Sequence, residues 1–469
     1  MKRFKTLLCF SLGMFFFLGG CSLAPKYTRP QSPVPAAWPR GAAYNEAKTA
    51  VASPIAALPW QEFFTDEKLR QVIQMALENN RDLRMAVLNV ERARAYYGIQ
   101  RAALLPSVNA AAGGSQQRVP ADLSPSGKAT TTEQYSVNLG ITSWEIDFFG
   151  RIRSLKDQAL QEYLATDQAS LSARLLLIST VAQAYLSLAA DRESLRLAVS
   201  TLDAQQTSQR LIGKLYEIGV SSALDLSMSQ SLVDAARGEV ARYTQRTAQD
   251  ENALNLLTGA SLSPEFLPTE LSGVLPFKEI SQGLSSDVLL QRPDVLAAEH
   301  RLRAANANIG AARATFFPRI SLTAALGTAS ADLSGLFKSG SGTWSFAPLA
   351  AIPIFDARTW SAYAVTKIER EIAVAQYEKT IQTAFRDVAD MLAVQGTIDQ
   401  QIAAQQSLVN AVAETFRLSH VRYTNGIDSY LSVLDAQRSL YRAKQGLVSL
   451  QLARQANQTM LYRVLGGGI

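Results

Sequence analysis

The chain reads as two copies of one large unit. Asn80-Arg81-Asp82-Leu83, Ala93, Ala95, Gly98 and Pro106 return 212 positions on as Arg292-Pro293-Asp294-Val295, Ala305, Ala307, Gly310 and Pro318. The spacing then tightens to 207, so that Tyr216, Gly219, Leu224 and Gln230 return as Tyr423, Gly426, Leu431 and Gln437. An offset that holds over long stretches and changes once by a few residues is the mark of duplication, with a loop of different length in each copy. Length alone, at 469 residues, suggests about three domains of ordinary size. The repeat replaces that expectation: the fold has to be two versions of one element.

Each copy runs through the same elements. In the first, Leu69, Val72, Ile73, Ala76, Leu77, Leu83, Ala86 and Val90 recur at helical spacing, predicting one amphipathic helix over residues 66–103 that Pro106 ends. A β-hairpin follows over about residues 104–149. Val108, Ala110 and Ala112 alternate with Asn109 and Ala111, a polar loop spans residues 116–133, and Tyr135, Val137, Leu139 and Ile141 alternate with Ser136, Asn138, Gly140 and Thr142. Near Ser143 the apolar phase shifts to Trp144, Ile146 and Phe148, predicting a bulge where the strand passes from one environment to another. The second copy has its hairpin over about residues 318–356, with Ile320, Leu322, Ala324 and Leu326, a Gly/Ser-rich loop, then Trp344, Phe346, Ala350, Ile352 and Ile354.

A proline-free helix follows each hairpin, over residues 151–214 and 357–422. Each reaches on the order of 95 Å at about 1.5 Å per residue, far longer than a compact domain needs. At the reversals, Gly219 and Gly426 suit the left-handed position that closes a helix, and Ser221, Ser222 and Asp428 suit capping the returning helix. The uncharged residues 175–190 are short of the roughly 20 a bilayer span needs and include Ser179, Thr180, Gln183 and Ser187, so they read as helix buried on several sides.

Residues 1–20 read as a signal peptide: Lys2, Arg3 and Lys5, then an apolar run too short to span a bilayer. Those three cations are half of the formal net charge of +6, which leaves weak ground for a nucleic-acid partner. Leu18-Gly19-Gly20-Cys21 resembles a bacterial lipobox, with Gly19 where Ala or Ser is commoner. Cys21 then becomes the acylated N-terminus, carrying a covalent palmitate-type lipid, and Ser22 is compatible with outer-membrane sorting. The alternative is an ordinary signal peptide with an incidental cysteine. Cys9 leaves with the leader, so the mature chain has no intrachain disulfide. Residues 21–65 form a lipidated strap, rich in proline and therefore extended. The first repeat occupies residues 66–258, its long helical hairpin 151–258. A linker of 259–285 leads to the second repeat, 286–469, with its helical hairpin at 357–465.

The chain offers no catalytic or metal site and no cofactor beyond the lipid. Two histidines, His300 and His420, sit in no metal or triad spacing, and Gly466-Gly467-Gly468 lacks the strand and helix a phosphate loop needs. No nucleotide motif is present, so the energy for any transport comes from elsewhere.

Four strands cannot close into a barrel, whose smallest membrane forms have about eight, and lipid does not tolerate open sheet edges. If the hairpins enter a bilayer the chain must oligomerise, and three copies give twelve strands, with the long helices continuing as a second, helical barrel.

Several stretches together resemble one family. They are Cys21-Ser22-Leu23-Ala24-Pro25-Lys26-Tyr27-Thr28-Arg29-Pro30, Trp60 with Phe63-Phe64, Leu289-Leu290-Gln291-Arg292-Pro293-Asp294-Val295, Pro353-Ile354-Phe355, Leu434-Asp435-Ala436-Gln437-Arg438 and the closing Leu465-Gly466-Gly467-Gly468. Over essentially its whole length the chain resembles the TolC-like outer-membrane factors, in particular the OprM-type lipoproteins of tripartite drug-efflux pumps. The resemblance implies an α+β membrane protein: a homotrimeric twelve-stranded outer-membrane β-barrel continued by a long periplasmic α-helical barrel, with a mixed equatorial region. It implies a passive exit duct whose closed periplasmic tip opens when a membrane-fusion adaptor docks, the adaptor being bound to an inner-membrane transporter of the resistance-nodulation-division (RND) class.

In such channels a Leu and an Asp one turn apart face the axis near the tip; Leu431 and Asp435 match them, with Arg438 a turn further. Three copies of Asp435 would repel one another unless a cation or Arg relieved them. The plain alternative is a solvated Asp435–Arg438 helix pair. The first repeat has Met228 at the place of Asp435. Gly219-Val220 and Gly426-Ile427 are candidate adaptor-docking tips, although an aliphatic residue after glycine also accompanies an ordinary helix end. Export of metal ions or proteins, and an acylated scaffold without a pore, stand as alternative functions; the apolar hairpins speak against the scaffold.

Overall fold

A computed structural model describes residues 22–44, 58–278 and 285–467. Cys21, the leader, Gly468 and parts of the strap and linker lie outside the described residues. The elements are α1 (Trp60–Phe63), α2 (Glu67–Asn79), α3 (Arg81–Ala102), β1 (Val108–Val119), β2 (Thr130–Ile146), α4 (Arg151–Glu217), α5 (Ala223–Thr258), α6 (Pro293–Ala314), β3 (Arg319–Ser330), β4 (Gly342–Ala351), α7 (Ala357–Thr424) and α8 (Tyr430–Val464). The chain forms two compact units: residues 1–31, 89–166 and 297–377 make one, and 32–88, 167–296 and 378–469 the other.

The first unit holds a four-stranded antiparallel sheet in the order β1-β2-β3-β4. Its register sets Ala110, Leu139, Leu326 and Trp344 side by side, and likewise Val108, Ile141, Ala324 and Phe346. Paired residues share a face, so one face is apolar across all four strands while the other carries Asn109, Gly140, Ala325 and Ser345. Leu326, Trp344 and Phe346 are 69, 79 and 63% exposed. Along β4 every residue is exposed.

Between Ile141 and Trp144 the register shifts, Ser143 takes φ 51°, and its amide donates to Thr323 Oγ1 at 3.1 Å. This is the bulge expected there, but its effect differs from the expectation. The extra residue cancels the phase change in the sequence, so that Trp144 opposite Leu322 and Ile146 opposite Ile320 stay on the apolar face. The strands also run further than the side chains imply. Gln116 to Arg118 pair with Thr131 to Glu133, and Gln116 Nε2 donates to Glu133 Oε1 at 2.8 Å, so the loop shrinks to residues 120–129. Backbone ladder bonds do not require apolar side chains, and an alternation test misses polar rungs. Ile352 and Ile354 lie beyond the end of β4.

Where β2 meets α4, the buried Glu145 accepts two hydrogen bonds from Arg151 at 2.8 Å and lies 2.6 Å from Arg319 Nε. The Asp147 carboxylate accepts from the amides of Ile152 and Arg153, which fixes where α4 begins. In the same unit the strap lies on α6. Asn306 Nδ2 donates to the Pro25 carbonyl and Arg313 Nη1 to that of Leu23. A Cβ on Gly310 would fall 2.8 Å from Ala24 Cα and 2.6 Å from Ser154 Oγ, so only glycine admits both neighbours.

In the second unit Phe63, Phe64, Phe277 and Tyr462 form a buried aromatic core, with Phe63 and Tyr462 stacked at 4.3 Å. The helix expected over residues 66–103 breaks at Asn80, which takes an extended ψ of 129°. Asn80 Oδ1 accepts from the Leu83 amide, starting α3, while Nδ2 donates to the Leu257 carbonyl. A side chain able to end one helix and start the next overrides continuous apolar spacing. Residues 175–190 are largely buried, with Ile178, Val181, Ala182, Tyr185, Leu186 and Leu188 at 2, 0, 0, 1, 0 and 0% exposure, as a core helix requires.

Candidate functional site

The two helix reversals are built alike. Gly219 and Gly426 have φ 77° and 71°. In the first, the Gly219 amide donates to the Tyr216 carbonyl and the Val220 amide to that of Leu215; in the second, Gly426 donates to Tyr423 and Ile427 to Arg422. These paired bonds are the Schellman closure, which satisfies the last helix carbonyls. The next helices start differently. Ser222 and Asp225 form a reciprocal capping box on α5. Asp428, expected to cap α8, does not. Its carboxylate accepts from Arg422 Nε at 2.6 Å and Nη2 at 3.0 Å, and Ser429 holds the cap position without a side-chain bond. A bidentate guanidinium out-competes a single amide for one carboxylate, and it holds Asp428 below the usual carboxylate range.

Val220 and Ile427 are 70 and 61% exposed, and Ile218 and Leu224 stand out beside them. An aliphatic residue closing a Schellman turn packs on the residue five before it. For Ile427 that residue is Arg422, already engaged with Asp428, and Ile427 stays largely exposed.

Behind the tips Ile212, Leu232, Tyr430, Val433 and Leu434 form a buried cluster, with Met228, Phe416 and Tyr423 packed against it. Met228 therefore supports the core, whereas its counterpart Asp435 is exposed, as are Leu431 and Arg438. Leu431, Asp435 and Arg438 follow one another at i, i+4 and i+7 along one face of α8. Among the described residues, Asp435 makes no hydrogen bond or ion pair, so the helix pair with Arg438 is absent. Arg438 instead rims a groove of about 320 Å³ that Gln205, Glu239, Arg242, Tyr441 and Gln445 also line. There Gln445 Nε2 donates to the hydroxyls of Tyr441 and Tyr243 at 2.8 and 3.0 Å.

Two charged sites carry no motif. Glu299, whose side chain is 4% exposed, accepts from Arg29, Arg303 and Tyr27. Asp191 and Asp250 face one another across α4 and α5, and burial together with the Asp191 charge pushes Asp250 up to about 6. A lone acid in each of two helices gives no sequence signal until the helices are paired. His300, which sits in no metal or triad spacing, joins α6 to α4 through Nδ1 and Gln161 Oε1 at 2.8 Å.

A four-stranded sheet with an apolar face and two unpaired edges, joined to helices of 67 and 68 residues, is the build of an outer-membrane channel protein. The model of the family described as "Outer membrane efflux protein" matches residues 72–260 and again 284–467, and the chain belongs to that family. It is 49% identical over 465 residues to the toluene efflux pump outer membrane protein TtgF of Pseudomonas putida, covering 98% of this chain and 96% of that protein. A crystal structure of a membrane protein from Pseudomonas aeruginosa matches at TM-score 0.89 and 42% identity, covering 96 and 98% of the two chains. The open state of the Neisseria gonorrhoeae MtrE outer membrane channel matches at 0.84 and 38%, again covering 96 and 98%. The protein is an outer-membrane efflux channel, a transport duct and not an enzyme.

Proposed function

We propose that three copies of this chain close one twelve-stranded barrel in the outer membrane and continue below it as a helical tunnel, forming the exit duct of a tripartite efflux pump. The four-stranded sheet carries this reading. Alone it leaves two edges of unpaired amides and carbonyls beside an apolar face, which lipid does not tolerate. Three copies joined edge to edge satisfy every strand and turn the bare face to lipid. The duplication supplies two hairpins per chain, and the lipid on Cys21 adds a second anchor.

The cargo is small, poorly polar organic compounds. Relatives named for toluene efflux support that class, and the transporter makes the selection. The partners are a periplasmic adaptor and a resistance-nodulation-division transporter. The tip is the gate: Leu431 and Asp435 from three chains converge, and the exposed Val220 and Ile427 receive the adaptor. The unpaired state of Asp435 supports the gate, because an acid already neutralised within its own chain would add no repulsion at the axis.

The test is single-channel conductance of the mature protein in planar bilayers. Small, cation-selective openings are expected from the wild type, and clearly larger ones from Asp435→Ala. Equal conductance removes the latch; none from either protein, with inserted oligomer demonstrated, removes the duct.

A further inference from the structure

One groove in the second unit carries charge that the chain itself leaves unanswered. It lies between α4, α5 and α8, holds about 320 Å³, and is rimmed by Arg242 of α5 and by Arg438 and Arg442 of α8. Arg242 pairs with Glu239 on its own helix. Arg438 and Arg442 make no hydrogen bond or ion pair among the described residues. They stand at i and i+4 on one helix face, where like charges repel and destabilise the helix. A third cation on the facing helix leaves the rim with an excess of positive charge.

Below the rim is a second unanswered group. The Gln205 side chain of α4 lines the groove and is 4% exposed, yet it makes no hydrogen bond among the described residues, its buried Oε1 included. A buried amide without partners costs free energy that a bound group recovers by supplying them. An amide both donates and accepts, so it suits the oxygen of an anion or a hydroxyl beside it.

The repeat accounts for the room. At the offset of 207, Arg438 and Arg442 correspond to Ser231 and Ala235 of α5, and those two small residues line the same groove. Buried Leu232 and Ala236 give it an apolar floor. The volume is at the lower end of ligand pockets, which run about 300–1,000 Å³. It suits one ring with its head group, whereas inorganic phosphate would leave most of it empty. Guanidinium groups favour carboxylate and phosphate, which they engage through two parallel N–H bonds. We infer that the groove is a binding site for a small organic anion, its carboxylate or phosphate head held by Arg438 and Arg442 beside Gln205 and its apolar body laid on Leu232 and Ala236. Bound there, the anion joins α8 to α5, and so the helical hairpin of the second repeat to that of the first. Every lining residue belongs to one chain, so the site depends on neither the trimer nor the gate.

The test is isothermal titration calorimetry on the full-length protein in detergent, with benzoate, phenyl phosphate and the neutral benzamide as probes. At least one of the two anions should bind at one site per chain, about tenfold or more tighter than benzamide, and the tighter of the two identifies the head group. Arg438→Gln combined with Arg442→Gln should weaken that anion about tenfold or more, and Gln205→Leu should weaken it several-fold. Arg237→Gln, which alters an arginine of α5 paired with Asp234 outside the groove, should leave binding unchanged. Hydrogen exchange read by mass spectrometry should slow on anion binding in residues 231–242 and 438–445 together. Should Gln205→Leu disturb the packing, the exposed arginine pair decides alone. Binding of neither anion, equal binding of benzamide, or binding indifferent to the arginine pair overturns the site.

Discussion

Glu299 decides whether the strap behind the lipid anchor is part of the fold or a loose tether. Its carboxylate accepts from Arg29 Nε at 3.1 Å and Nη2 at 2.5 Å, from Arg303 at 2.7 Å and from the Tyr27 hydroxyl at 3.1 Å. Burial opposes its charge, but the hydrogen bonds from Arg29 and Arg303 outweigh this and hold it below the usual carboxylate range. Stranding a buried charge costs about 3–5 kcal/mol. Glu299→Ala does less, because the Arg29 and Arg303 side chains it abandons are 44 and 39% exposed and recover water. The loss is then mainly that of charge-assisted bonds, about 2 kcal/mol, or roughly thirtyfold in the opening equilibrium of the strap. Hydrogen exchange at residues 22–31, read by mass spectrometry, measures it; Glu299→Gln, which keeps neutral acceptors, should lose about half as much. The pH dependence has a definite sign. A depressed acid stabilises fully above its unfolded pKa and loses that contribution as pH falls through the folded value. Strap protection in the wild type should therefore decline below about pH 4, and in Glu299→Ala it should not. Unchanged protection in Glu299→Ala at neutral pH refutes the clamp.

Two further predictions concern the second unit. Ile427→Glu places a charge where the chain leaves an aliphatic residue bare, so thermal stability should move by no more than about 0.5 kcal/mol, while adaptor crosslinking and drug export fall together; survival of both removes Ile427 from docking. Asp250→Asn should stabilise the protein at pH 7.5 by about 1–2 kcal/mol, roughly half of what a rise to about 6 implies once solvent access is allowed for. An acid raised in the folded state costs stability above its folded pKa, so this gain should fade as pH drops from about 6 toward 4; a gain that persists at pH 4 rules out the raised Asp250 as its source.

The elements legible in the sequence were those with long, unbroken signals. The helices at residues 151 and 357 show themselves by the absence of proline, and the apolar face of the sheet by alternation in Val137, Leu139, Ile141 and in Ile320, Leu322, Ala324. The reversals were legible because glycine at a left-handed position is a local requirement. What escaped was decided by partners. Asn80 breaks a continuous apolar pattern because its amide reaches Leu257, 177 residues away. Asp428 abandons the cap for Arg422, a choice set by the geometry of a folded turn. The bulge at Ser143 was visible as a phase change, but only the register with β3 shows that it preserves the apolar face.

The divergence of the two copies shows which positions answer to geometry and which to their neighbours. Positions equivalent in the duplication keep their identity where backbone geometry is at stake, as in Gly219 and Gly426. They differ where the surroundings differ. Glu299 grips a strap of which the chain has one, and Val87, its equivalent on α3, is 47% exposed with no strap to hold. Met228 packs against the cluster behind the tips, and Asp435 has no hydrogen-bond or ion-pair partner among the described residues. The pattern of change is the one expected when each copy answers to what surrounds it rather than to its duplicate.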